Sequence, residues 1–129
     1  MKSVVILAAL VMSGCSQLPV WKASALDLAS TDLALRQSGI KEANPIIRLG
    51  GSREGIMVVG SLLKAAGYTV AKRLPPADCR QVMRSLVATS VAAAANNTAI
   101  AAGASNEVGL ALGLVVGVLQ YRAKQKDEC

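Results

Sequence analysis

Four stretches of the chain are rich in apolar residues, with polar or turn-forming residues between them. Segment A, from about Ala23 to Ser38, sets Leu26, Leu28, Leu33 and Leu35 among Asp27, Asp32 and Arg36, and Gly39 offers a C-terminal stop. Segment B runs from about Arg53 to Arg73; its apolar part, Gly55 to Ala71, is interrupted by Lys64. Leu74-Pro75-Pro76-Ala77-Asp78 predicts a turn. Segment C, from about Ala77 to Gly103, has Asp78 to serve its N-terminus and an Ala- and Val-rich part from Leu86 to Ala104, with Asn96-Asn97 near its middle. Segment D runs from about Ser105 to Arg122, with 14 largely apolar residues from Val108 to Tyr121. Ahead of segment A, Pro19 opposes an early helix, so Leu18 to Lys22 reads as an extended tether. The tail from Lys124 to Cys129 is polar and reads as frayed. The pattern predicts an all-α chain, a small bundle of three or four apolar membrane helices over residues 23–123, with a tether at 15–22 and a polar tail at 124–129.

Composition sharpens this reading. A length of 129 residues suits one domain. Hydrophobic residues make up 53% and charged residues 17%, against roughly 45–50% and about 25% in ordinary soluble domains. There is no Phe, one Trp (Trp21) and two Tyr (Tyr68 and Tyr121). The apolar bulk is instead Ala, Val, Leu and Gly, which suits helices that approach closely in lipid. The net charge of +6 does not read as a nucleic-acid footprint. The basic residues are scattered, and there are almost no aromatics on which bases would stack. With no His, the commonest general base and metal ligand is missing. The three cysteines, Cys15, Cys79 and Cys129, show no CxxC spacing. No metal, no cofactor and no catalytic nucleophile–base pair is expected, and the chain does not read as an enzyme.

The first residues carry a second signal. Lys2 is followed by an apolar run of nine, Val4 to Met12, and then by the small residues Ser13 and Gly14 before Cys15. The run has the length of a secretory h-region and is too short to span a bilayer. The stretch Leu10-Val11-Met12-Ser13-Gly14-Cys15 resembles the lipobox of bacterial lipoproteins, with Met12 where Leu is usual. That resemblance implies a signal peptide at residues 1–14, cleavage before Cys15, and acylation of the Cys15 thiol and of the new amino end. Each buried CH₂ contributes about 0.8 kcal/mol, so two or three acyl chains make a firm anchor. The resemblance also bears on sorting. Ser16, where an Asp would retain the protein in the inner membrane, points to the outer membrane, whereas further apolar spans favour the inner one. Membrane lipid is the expected partner, at the bacterial cell membrane.

An exported Cys15 orients the helices. With segment A lying on the outer face and B, C and D crossing, Lys72, Arg73, Arg80, Arg84, Arg122, Lys124 and Lys126 all fall in the cytoplasm, as the positive-inside rule favours. Cys79 and Cys129 are then free thiols in a reducing compartment. If A crosses as well, those basic residues fall outside with Cys15, and the two cysteines are placed to pair.

Residues 27–47 carry a pattern of an Asp, a Ser/Thr pair, an apolar helix and Gly-x-x-Glu-x-Asn-Pro: Asp27, Ser30-Thr31, Leu35, Gly39, Glu42 and Asn44-Pro45. It resembles a group of small, functionally uncharacterised prokaryotic membrane proteins, in which a later lysine and paired asparagines also occur, matched by Lys64 and Asn96-Asn97. The resemblance implies an architecture and no activity. From the residues themselves, Pro45 forces Asn44 out of helix and predicts a turn there. A lysine in apolar surroundings needs a partner, which Asp27, Asp32 or Glu42 supplies, with Asn44, Asn96 and Asn97 completing a network. Such a network either fixes helix packing or forms a polar path for an ion or small solute, the latter as in a transport-like or pore-forming protein. Gly109, Gly113 and Gly117 repeat at spacing four and predict a smooth packing face, suited to a homo-oligomer. The leading expectation is a lipid-anchored protein with a structural or protein-interaction role.

Overall fold

The computed structural model describes residues 16–125 and 127–129. Cys15 and the signal sequence ahead of it lie outside the described residues. Among the described residues the regular elements are all helical, with α1 at Val20–Leu35, α2 at Pro45–Arg48, α3 at Arg53–Lys72, α4 at Pro76–Ala101 and α5 at Asn106–Arg122.

Local chemistry sets most of these boundaries. The Ser52 side chain accepts from Gly55 N and opens α3, with Glu54 in the first turn and Lys72 in the last. Ser105 does the same for α5 through Val108 N, with Glu107 and Arg122 at its two ends. Pro76 occupies the first turn of α4, where its missing N–H costs nothing. Gly103, at φ +90°, turns the chain away after α4. The Asn44-Pro45 turn is built as a cap: Asn44 Oδ1 accepts from Ile46 N and Ile47 N, and Pro45 starts the short α2.

The four long helices alternate in direction. The first turn of α1 lies beside the start of α4 and the C-terminal tail, and just beyond its other end Gln37 Nε2 donates to Ala101 O at 3.0 Å. Helices α1 and α4 therefore run the same way, while α3 and α5 return. α4 is the central element, packed along α1 and α5 and more lightly on α3. Its inward stripe, Cys79, Met83, Val87, Val91, Ala95 and Ala99, keeps helical spacing and forms most of the core.

The core is made of small side chains. The largest that are fully buried are Met83, Val87, Val91 and Cys79, and no leucine is among them. Leucines face outward instead: Leu62 is 65% exposed, and Leu110 and Leu114 are each 60% exposed. Polar side chains lie inside, among them Gln17, Ser30, Ser90, Thr98 and Gln120.

The structure corrects several expectations. Among the described residues, no helix is long and apolar enough to cross a membrane. α1 has 16 residues and carries Asp27 and Asp32. α3 holds Arg53, Glu54, Lys64 and Lys72. α4 opens with Asp78, Arg80 and Arg84, and α5 has only 17 residues. The extended tether stops at Pro19, and Val20, Trp21 and Lys22 are helical. Segment A does not lie apart from the others; as α1 it is a full member of the bundle.

The tail is fastened rather than frayed. Gln17 N donates to Lys124 O at 2.7 Å, Ser16 and Lys124 form a parallel bridge, and Gln125 Nε2 donates to Arg80 O at 2.7 Å. Cys79 and Cys129 are joined in a disulfide with Cα atoms 6.0 Å apart, so they are not free thiols. Glu128 Oε2 accepts from Val20 N at 3.0 Å and so covers the N-terminus of α1, where Pro19 has no capping side chain. The positive-inside arrangement with A outside fails on the same geometry. Ser16, next to Cys15, sits beside Lys124, at the end that also holds Lys72, Arg73, Arg80 and Arg122.

Candidate functional site

The polar residues singled out above divide into two groups. Asp27 and Thr31 are one helical turn apart on α1 and face the bundle interior. Lys64 reaches them from α3, and its Nζ lies 2.6 Å from Asp27 Oδ2. The same ammonium donates to Ser90 Oγ on α4 at 2.9 Å. On the far side, Thr31 Oγ1 donates to Asp27 Oδ1 at 3.5 Å, Asn97 Nδ2 donates to Thr31 Oγ1 at 2.9 Å, and Asn96 Nδ2 reaches Asn97 Oδ1 at 3.5 Å. Three helices thus share one polar row from Ser90 to Asn96.

Asp32 is not part of it. Five residues after Asp27, it points about 140° around α1. It pairs with Arg36 at 2.7 Å and Arg53 at 3.3 Å instead. Glu42 and Asn44 sit at the rim: Glu42 Oε1 accepts from Asn44 N at 2.8 Å while Asn44 caps α2. Sequence reasoning missed Ser90 and did not place Thr31 in the network. A weak signal for Ser90 existed, since it lies seven residues before Asn97 and shares its helix face.

The row borders a cleft of about 470 Å³ between α1, α3, α4 and the 42–47 segment. Burial raises the Asp27 carboxyl above its ordinary value; the Lys64 ammonium acts in the opposite sense and does not outweigh it. No buried side-chain nitrogen or oxygen among the described residues lacks a hydrogen-bond partner. Among the same residues no cluster of acidic or cysteine side chains is placed to hold a metal ion.

The glycine stripe is buried, against the chain's own α4. A Cβ on Gly109 would lie 2.6 Å from Asn96 Oδ1, on Gly113 2.7 Å from Ala92 O, and on Gly117 2.9 Å from Ala92 Cβ. The close backbone approach expected of these residues exists. It joins α5 to α4 within one chain, so the stripe is not free to pair two copies.

Comparison of the chain with protein-family models found no match, and comparisons with curated proteins and with solved structures found none either.

Proposed function

We propose that this chain is a lipid-anchored structural or protein-interaction component of a bacterial envelope, acylated at Cys15 and held against the membrane outside the cytoplasm. The observation that carries the reading is the Cys79–Cys129 disulfide at the end of the bundle where the chain emerges from Cys15. Disulfides persist in oxidising compartments, and a lipobox sends its protein to one. The distribution of side chains supports contact with lipid. The ion pair and its polar row are inside, while Leu110, Leu114 and Val118 on α5 and Val58 and Leu62 on α3 face out. An outward apolar face of this kind suits a bundle resting at the bilayer interface, with no described helix crossing it.

A structural role for the polar row is preferred to a path for solutes because the row is closed on itself. Its donors and acceptors bond one another, which ties α1, α3 and α4 together, and among the described residues every buried side-chain nitrogen and oxygen has a partner. Metabolic labelling with a fatty acid, followed by membrane fractionation, tests the anchor: wild type carries label and sediments with membranes, and Cys15→Ala carries none. A labelled Cys15→Ala variant, or unlabelled wild type in the soluble fraction, rejects the reading. In a liposome flux assay, wild type and Lys64→Leu are expected to leak alike; leakage by wild type that Lys64→Leu abolishes would favour transport.

A further inference from the structure

The two ends of the bundle differ in charge, and the difference follows the position of Cys15. At the end that holds Ser16, the last turn of α3 and its cap bring Lys72 and Arg73, the first turns of α4 bring Arg80, and the end of α5 and the tail bring Arg122 and Lys124. Lys22 adds another cation from the first turn of α1. All six are exposed. The side-chain carboxylates described at this end are Asp78, Asp127 and Glu128, and that of Glu128 is engaged at the N-terminus of α1. At the opposite end Arg36, Lys41, Arg48 and Arg53 are balanced by Asp32, Glu42, Glu54 and Glu107, and Asp32 pairs with two of the arginines.

Two further observations point the basic end at a membrane. Trp21, the only tryptophan, is 66% exposed beside this surface, with the Lys22 ammonium 5.4 Å from its ring centroid. An exposed indole flanked by lysine suits the headgroup region of a bilayer. The stretch that leads to Cys15 is also fixed, because Gln17 N donates to Lys124 O and Gln17 Nε2 donates to Gln120 O at 3.1 Å. An acyl chain on the residue just before Ser16 therefore holds this end at the lipid.

We propose that the Ser16 end of the bundle is a docking surface for anionic phospholipid headgroups, with Arg80, Arg122, Lys124 and Lys72 as the contacting cations and Trp21 entering the interface beside them. Its placement at lipid rests on acylation of Cys15; its preference for anionic headgroups does not. Each basic residue near an anionic leaflet strengthens binding about fivefold at low salt, and the effect decays within a Debye length.

The test uses the mature chain, residues 15–129, unacylated through Cys15→Ala and with the Cys79–Cys129 disulfide intact. It is mixed with vesicles of phosphatidylcholine alone or with about one third phosphatidylglycerol. Expected are sedimentation with the phosphatidylglycerol vesicles only, a blue shift of Trp21 emission on binding, and release in about 1 M salt, where the Debye length is about 3 Å. Adding Arg122→Gln and Lys124→Gln weakens binding about twenty-fivefold, and Lys41→Gln with Arg48→Gln at the other end leaves it unchanged. Circular dichroism and a non-reducing mass measurement establish that each variant is folded and cross-linked. Equal binding to both vesicle types, or an equal loss from the opposite-end pair, overturns the proposal. Failure of fatty-acid labelling at Cys15 would sink the anchor and leave the vesicle result standing, so the two readings fail separately.

Discussion

Lys64 Nζ lies 2.6 Å from Asp27 Oδ2, joining α3 to α1 by an ion pair whose side chains are 21% and 15% exposed. Removing one partner from such a pair costs more than removing both, because the survivor keeps its charge without compensation. Lys64→Met is expected to lower unfolding stability by about 2–4 kcal/mol. The double variant Lys64→Met with Asp27→Asn recovers a large part of that loss. Chemical denaturation of the four members of the cycle checks it. A double variant no more stable than Lys64→Met would mean that the pair does not act as a unit.

The same carboxyl sets a pH dependence. Burial raises the Asp27 pKa above its ordinary 3.8, so the folded chain holds that proton more tightly than the unfolded chain. Its contribution to stability is therefore most favourable at acid pH and declines as pH rises from about 3.8 toward the elevated folded value, above which it is constant. Asp27→Asn is expected to remove this decline from a plot of stability against pH, leaving the slopes that other groups contribute. A profile for the Asp27→Asn variant that runs parallel to wild type across that window would contradict the assignment.

What was readable in the sequence follows from how local each cause is. Ser52, Ser105 and Pro76 act within one helical turn, and the helices they open begin within a residue of expectation, whereas Asn44-Pro45, read as a turn, also starts the short α2. Helix α1 begins three residues early because its N-terminus is covered by Glu128, 108 residues away, and no local pattern announces that. The demand of Lys64 for a carboxylate was legible, and Asp27 was among the candidates. Choosing it over Asp32 required knowing which way α1 faces. Spacing at Gly109, Gly113 and Gly117 announced a close contact, but periodicity alone does not name the backbone that fills it. The disulfide depended on where the tail folds, which is again a nonlocal matter.

Alanine at the glycine stripe tests that contact directly. Replacing Gly by Ala inside a helix is intrinsically favourable by about 1 kcal/mol. At Gly113 the new methyl would stand 2.7 Å from the Ala92 carbonyl oxygen, a backbone atom that moves only with the helix. At Gly109 the nearest atom, Asn96 Oδ1, ends a side chain able to rotate, although it then leaves Gly109's surroundings repacked. Gly113→Ala is thus expected to destabilise by about 1–3 kcal/mol, and Gly109→Ala by less. Thermal unfolding of the two variants gives the comparison. The reverse order would mean that α5 is not seated on α4 as described.

The Cys79–Cys129 bond closes a loop with a sequence separation of 50 residues. By chain entropy a loop of that size stabilises the folded state by about 4 kcal/mol. The bond also holds Glu128 over the start of α1 and Lys72 Nζ at the Glu128 carbonyl. Cys79→Ser with Cys129→Ser should therefore lose stability in two ways, from the cross-link itself and from release of the tail. Glu128→Ala in the cross-linked chain isolates the second effect and is expected to cost about 0.5–2 kcal/mol, the range of a lost helix cap. In the chain lacking both cysteines the same Glu128→Ala change should cost much less, because the carboxylate is no longer held near Val20. Denaturation of these variants and of wild type measures the coupling. Equal costs in both backgrounds would show that Glu128 finds α1 without help from the disulfide.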